Sequence, residues 1–132
     1  MSTIRKNIDL DVAPDTVWDV IRDIGAVHRR LAPGFVIDTK LERGSRTVTF
    51  ANGVVAHERI IAIDEQLHRL AYSASSEQIE HHNASFEVVP LSETQTRLVW
   101  TADIVPESAA ERIRSMMEQG AIAIHSALSK AG

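Results

Sequence analysis

Between Ile4 and Val12 the apolar residues Ile4, Ile8, Leu10 and Val12 take even positions, and Thr3, Arg5, Asn7, Asp9 and Asp11 take odd ones. That period of two predicts a half-buried strand. Lys6 is the even-numbered exception, placed to snorkel at a rim or to line a cavity. Pro14 stops the alternation and suits the first position of a helix, where its missing N–H costs nothing. Val17, Trp18 and Ile21 then recur at helical spacing, flanked by Asp15, Asp19, Arg22 and Asp23. Gly25 breaks the helix, and a second short one is expected from Ala26 to Leu31, ahead of Pro33-Gly34.

From Phe35 to about Pro106 the pattern reads as six strands with tight turns. Phe35-Val36-Ile37 opens the first, which Arg43-Gly44 ends, and Arg46 to Phe50 forms the second. Asn52-Gly53 is the strongest short hairpin signal available. Val54 to Ile63, His68 to Ala74 (turned by Ser75-Ser76-Glu77), Glu80 to Val89 and Thr96 to Ile104 complete the set. Connections this short allow antiparallel neighbours and leave no room for parallel crossovers. The tail changes period. Ser108 and Glu111 have capping-box spacing, and Ile113, Met116, Met117, Gly120, Ala123, Ile124, Ala127 and Leu128 mark an amphipathic helix. One antiparallel sheet of seven strands needs one face covered, and that helix is the only large apolar element left to cover it.

Composition narrows the function classes. At 132 residues the chain suits a single domain over 1–132, with no repeat and no low-complexity linker. No stretch approaches the roughly 18 apolar residues that span a bilayer, so integral membrane association is not expected. The N-terminus runs directly into the alternating pattern, without the apolar core of a secretory signal. Cysteine is absent, which excludes disulfides, thiolate catalysis and cysteine-based metal sites, and suits a cytoplasmic location. The net charge is −4, the basic residues are scattered, and aromatics make up 5%, so nucleic acid is a poor partner.

Metal and cofactor motifs fail on inspection. His57-Glu58 is followed by Arg59-Ile60-Ile61, without the second histidine of H-E-x-x-H. His81 and His82 are adjacent in a strand and point to opposite faces. His28, His68 and His125 have no ligand-like partner in sequence, and there is no glycine-rich phosphate loop or dinucleotide fingerprint. Neither a metal nor a cofactor is expected. Asn83-Ala84-Ser85 matches the glycosylation acceptor but falls in mid-strand.

The stretch Val12-Ala13-Pro14-Asp15-Thr16-Val17-Trp18 is followed in order by Gly44-Ser45-Arg46-Thr47-Val48-Thr49, the hairpin, and Glu58-Arg59-Ile60 through Asp64. Arg69 to Tyr72, Leu98-Val99-Trp100 and the terminal helix come next. This arrangement resembles the START-related helix-grip superfamily (SRPBCC) over nearly the whole chain. The branch it is most similar to is the polyketide cyclase/dehydrase-like group of bacterial proteins, akin in form to the birch-pollen allergen and plant hormone-receptor proteins. The resemblance implies an α+β helix-grip fold: a strongly curved seven-stranded antiparallel sheet around a long C-terminal helix, with two short helices between strands 1 and 2. It implies a meander in which the first strand pairs with the last. It does not settle activity, because function resides in sites grafted onto folds.

With that neighbour order, the even-numbered residues follow one another across the concave face. Among them Arg46, Glu58, Tyr72 and His82 sit on four successive strands, with Glu58 beside Arg46 and Tyr72, and His82 beside Tyr72. An ion pair beneath an apolar helix is expensive to desolvate, and a partly wet pocket is the cheaper place for it. The expected ligand-binding set is therefore Arg46, Glu58, Tyr72 and His82 for the polar end of a molecule. Leu70, Phe86, Leu98, Trp100, Met116, Met117, Gly120 and Ile124 would supply the rest of the lining. The partner read from this set is a small hydrophobic or amphipathic molecule held between sheet and C-terminal helix. One alternative is a polyketide cyclase/dehydratase-type enzyme with His82, Tyr72 and Glu58 as candidates for acid–base work. Another is a non-catalytic interaction domain with a filled core, and a homodimer is open in either case. Gly120 in mid-helix costs about 1 kcal/mol relative to alanine, to be offset by close contact with the sheet or by room for a ligand.

Overall fold

The computed structural model describes residues 2–76 and 79–131. Strand β1 (Ser2–Leu10) leads into helix α1 (Pro14–Ile21) and a π-helical turn (Val27–Leu31). Six strands follow: β2 (Val36–Glu42), β3 (Ser45–Phe50), β4 (Val55–Asp64), β5 (Arg69–Ser75), β6 (His81–Pro90) and β7 (Thr96–Val105). A short 3-10 turn (Glu107–Ala109) then opens the C-terminal helix α2 (Ala110–Ala131). All seven strands form one antiparallel sheet in the order β1-β7-β6-β5-β4-β3-β2. The sheet is curved and wraps α2, with the two short helical segments between β1 and β2. Glu77 of the expected β5–β6 turn lies outside the described residues.

Local chemistry accounts for the turns. Pro14 starts α1 as its first residue, after an extended Ala13. At the β3–β4 hairpin Gly53 takes a φ of +91°, open to glycine at no steric cost, and Asn52 Oδ1 accepts the Val54 N–H. Asp64 Oδ1 accepts the N–H groups of Gln66 and Leu67 and so shapes the β4–β5 turn. The capping box expected at Ser108 and Glu111 does not form. Ser108 falls inside the 3-10 turn, whose preceding residue is Pro106 with no side-chain cap, and Glu111 pairs instead with Arg114.

Two register shifts decide which side chains face inward. In β2 the shift between Val36 and Asp38 places Thr39 opposite Val48 and Leu41 opposite Arg46. In β4 the shift between Ile60 and Ala62 leaves Ile61 exposed and pairs Ile63 with Leu70. Such bulges bend a strand and add twist, which suits a sheet that must curl around a helix. Because the β4 shift comes after Glu58, even-numbered parity holds where the polar residues sit.

The core lies between the concave face and α2. Ile4, Leu70, Leu98, Ile104, Ile124 and Leu128 are fully buried there. On α2, Ile113, Met117, Gly120, Ile124 and Leu128 form the inner seam, while Met116, Ala123 and Ala127 flank it half-buried. Lys6 faces the concave side at its rim and pairs with Glu118 of α2 at 3.0 Å. Helix α1 is clamped to the β4–β5 turn. Trp18 is buried, its Nε1 donates to Glu65 at 2.8 Å, Arg22 donates to the same carboxylate, and its ring stacks on His68 at 5.1 Å.

Candidate functional site

The register places Arg46 directly opposite Glu58 on neighbouring strands. Arg46 Nε donates to Glu58 Oε1 at 2.8 Å, and Arg46 Nη1 donates to the Ile24 carbonyl at 3.2 Å. Only 4% of Arg46 and 8% of Glu58 are exposed, so both charges are out of water. The guanidinium also lies 5.2 Å from the centre of the Tyr72 ring, a cation–π distance. Three neighbouring strands thus deliver one charge pair and one phenol to a single spot.

Beside them is a cavity of about 50 Å³ between the sheet, the π-helical turn and α2. Tyr72, Phe86 and Trp100 follow one another as a near-parallel stack, with ring centres 6.3 and 4.9 Å apart. Phe35 and Phe50 meet edge to face at 5.2 Å and complete the wall. The chain has six aromatic residues of these types, and five of them line this one cavity; Trp18 is the exception. Trp100 Nε1 donates to the Tyr72 hydroxyl at 3.1 Å. Burial, reinforced by the nearby Glu58 charge, pushes the Tyr72 phenol well above its ordinary range and keeps it protonated.

Seven of the expected ligand-binding residues come together here: Arg46, Glu58, Tyr72, Phe86, Trp100, Gly120 and Ile124. Five do not. Leu70 and Leu98 are wholly buried in the packed core, and Met117 lies in the inner seam of α2. Met116 lines a separate open cleft of about 1070 Å³, between the β3–β4 hairpin and the N-terminal half of α2. His82 pairs with Ile104, while Tyr72 pairs with Ala84, so the two are offset along β5 and β6 rather than opposed. Burial, with the adjacent His81 adding to it, lowers the His82 pKa to about 4 and leaves the imidazole neutral.

The residues that the periodicity did not assign to the site come mainly from the segment before β2. Val27 and Leu31 of the π-helical turn, together with Phe35, form the wall opposite the sheet. A signal was present in the clustering of Phe35 just beyond Pro33-Gly34 and of Phe50 at the end of a strand. Their meeting depends on the Val36–Phe50 register, which no local period encodes. Gly120 resolves toward close approach. A Cβ there would stand 3.0 Å from Phe35 Cε2 and from Trp100 Cη2 and Cζ3, so the absent side chain is what lets both rings lie against α2. Among the described residues no group of three His, Cys, Asp or Glu is placed to hold a metal ion, and no helix is long and apolar enough to cross a membrane.

The fold has clear counterparts among solved structures. A structure from Thermobifida fusca, solved in solution, is 26% identical and superposes with a TM-score of 0.79, covering all of this chain and 94% of the other. The Zhui aromatase/cyclase of Streptomyces sp. R1128 is 17% identical, with a TM-score of 0.77 over 98% of this chain and 93% of that one. Norcoclaurine synthase of Thalictrum flavum is 19% identical, with a TM-score of 0.74 over 98% and 84%. Among curated proteins none matches the sequence. Residues 1–127 match the family described as polyketide cyclase / dehydrase and lipid transport, and with its helix-grip fold the chain belongs to that family.

Proposed function

We propose that this protein binds a small, mainly hydrophobic molecule in the space between sheet and α2, with its polar end toward Arg46, Glu58 and Tyr72. One observation carries the reading: five of six aromatic rings converge on a cavity that also holds a buried charge pair. A core needing only to be filled is normally built from side chains without polar atoms, whereas this cavity is lined by a charge pair, a phenol and an indole N–H. Relatives of the same fold support it, since the norcoclaurine synthase structure contains dopamine and hydroxybenzaldehyde.

The volume sets a condition. A site of about 50 Å³ holds a few waters at roughly 10–15 Å³ each, whereas small-molecule pockets run to roughly 300–1,000 Å³. Binding therefore requires the wall to yield. Phe35 and Phe50 are half-buried, and their rotation costs less packing than any displacement of the enclosed Tyr72 or Phe86.

Acid–base catalysis has weaker support. His82 is neutral and outside the cavity lining, Glu58 is held by Arg46, and Tyr72 holds its proton. The test is titration with the neutral fluorophore N-phenyl-1-naphthylamine. Saturable one-to-one enhancement, competed by toluene, is the expected result. Absence of saturable uptake by this probe and by a panel of smaller aromatic molecules overturns the reading.

A further inference from the structure

Among the described residues the Tyr72 hydroxyl makes one hydrogen bond, and it is an accepted one: Trp100 Nε1 donates to it at 3.1 Å. Its own proton meets no acceptor among the described residues, although Tyr72 is only 5% exposed and lines the cavity. Buried donors without an acceptor are rare in folded proteins, and each calls for an explanation. Two donors in series also differ from one. A bond donated into the phenol oxygen polarises the O–H beyond it, so Trp100 strengthens Tyr72 as a donor toward whatever occupies the cavity.

Charge narrows the occupant further. Arg46 and Glu58 cancel each other at 2.8 Å, so the buried site is neutral as it stands. A third charge would sit there without a counter-ion, and a carboxylate would also face the Glu58 carboxylate. The rings set the body of the molecule, because stacked and edge-on aromatic walls favour another aromatic face.

The geometry points to a ligand class: an uncharged aromatic molecule with an oxygen that accepts a hydrogen bond from the Tyr72 hydroxyl, Trp100 and Tyr72 acting as a two-donor relay. This rests on the binding reading above and adds the feature that selects among apolar molecules. Burial keeps the phenol protonated through the physiological range, so the selection does not weaken as pH rises through neutrality.

Acetophenone, ethylbenzene and benzoate are matched in size and differ in the acceptor and the charge. Their binding is read from the indole N–H resonances, Trp100 in the cavity and Trp18 outside it, in the wild type and in Tyr72→Phe. Acetophenone and ethylbenzene should both move the Trp100 signal, and benzoate should bind more weakly than acetophenone. Tyr72→Phe should cut the acetophenone-to-ethylbenzene affinity ratio by about five- to tenfold, the size of a lost buried hydrogen bond. An unchanged ratio, or benzoate binding as tightly as acetophenone, overturns the relay while leaving hydrophobic binding intact. Failure of both neutral compounds to bind overturns the binding reading and the relay with it. A second measurement needs no variant. The carbonyl of ¹³C-labelled acetophenone bound to the wild type should resonate downfield of its position in cyclohexane, and coincidence of the two overturns the relay.

Discussion

Arg46 and Glu58 face each other across β3 and β4 with Nε and Oε1 2.8 Å apart, both almost fully withdrawn from solvent. Such a pair does little for net stability, because the desolvation of two ions offsets their attraction, yet removing one partner strands the other. Glu58→Gln is therefore expected to lower unfolding free energy by about 3 kcal/mol, and Arg46→Met combined with it to recover most of the loss. Denaturant melts in a double-mutant cycle check this, and additive losses would mean that the two groups are energetically independent.

Gly120 gives the sharpest steric expectation. An added Cβ already meets three ring carbons at 3.0 Å, so Gly120→Leu should overpack the seam and lower stability by about 1–3 kcal/mol, despite the better helix propensity of leucine. Removing one of the obstructing rings, in Gly120→Leu with Phe35→Ala, should restore part of that loss. A rise in melting temperature for Gly120→Leu alone would contradict the close packing.

Trp18 holds α1 to the β4–β5 turn through its ring and its indole N–H. Trp18→Ala should cost about 3–5 kcal/mol by leaving a cavity in the core. Trp18→Phe keeps much of the ring and loses the bond to Glu65, for about 1 kcal/mol. Equal losses in urea melts of the two variants would show that packing contributes nothing beyond the hydrogen bond.

His82 makes stability depend on pH. Its folded pKa of about 4 lies below the ordinary value of 6.5, so between those values the unfolded chain binds a proton that the folded chain does not. Stability from this group is whole above pH 6.5 and falls as the pH drops toward 4, by on the order of 3 kcal/mol at most. The denaturation midpoint of His82→Gln should be flatter than that of the wild type across this window. Parallel curves would place the acid sensitivity elsewhere.

The legible and illegible parts of the molecule divide on physical grounds. Strand β1, the Asn52-Gly53 hairpin and α2 were readable because each carries a local period or a local turn chemistry, and α2, at Ala110–Ala131, contains the whole Ile113–Leu128 stripe. The Arg46–Glu58 pairing was readable because parity survives as far as Glu58, the β4 register shift falling only after Ile60. The π-helical turn's part in the cavity wall was not readable, since Val27, Leu31 and Phe35 reach it through tertiary packing. The separation of Met116 from the cavity was hidden for a similar reason. A helical stripe shows which side faces the sheet, but not which stretch of the space beneath it is filled.

Binding requires the aromatic-lined cavity to open and admit a small apolar molecule. The most direct measurement is a two-dimensional NMR titration of the nitrogen-15-labelled protein with toluene, following the two indole N–H signals. Toluene should give a saturable shift of the Trp100 signal, whose N–H donates to Tyr72 inside the cavity lining, while the Trp18 signal, held by Glu65, stays in place. No shift at either indole, or equal non-saturating shifts at both, would contradict it.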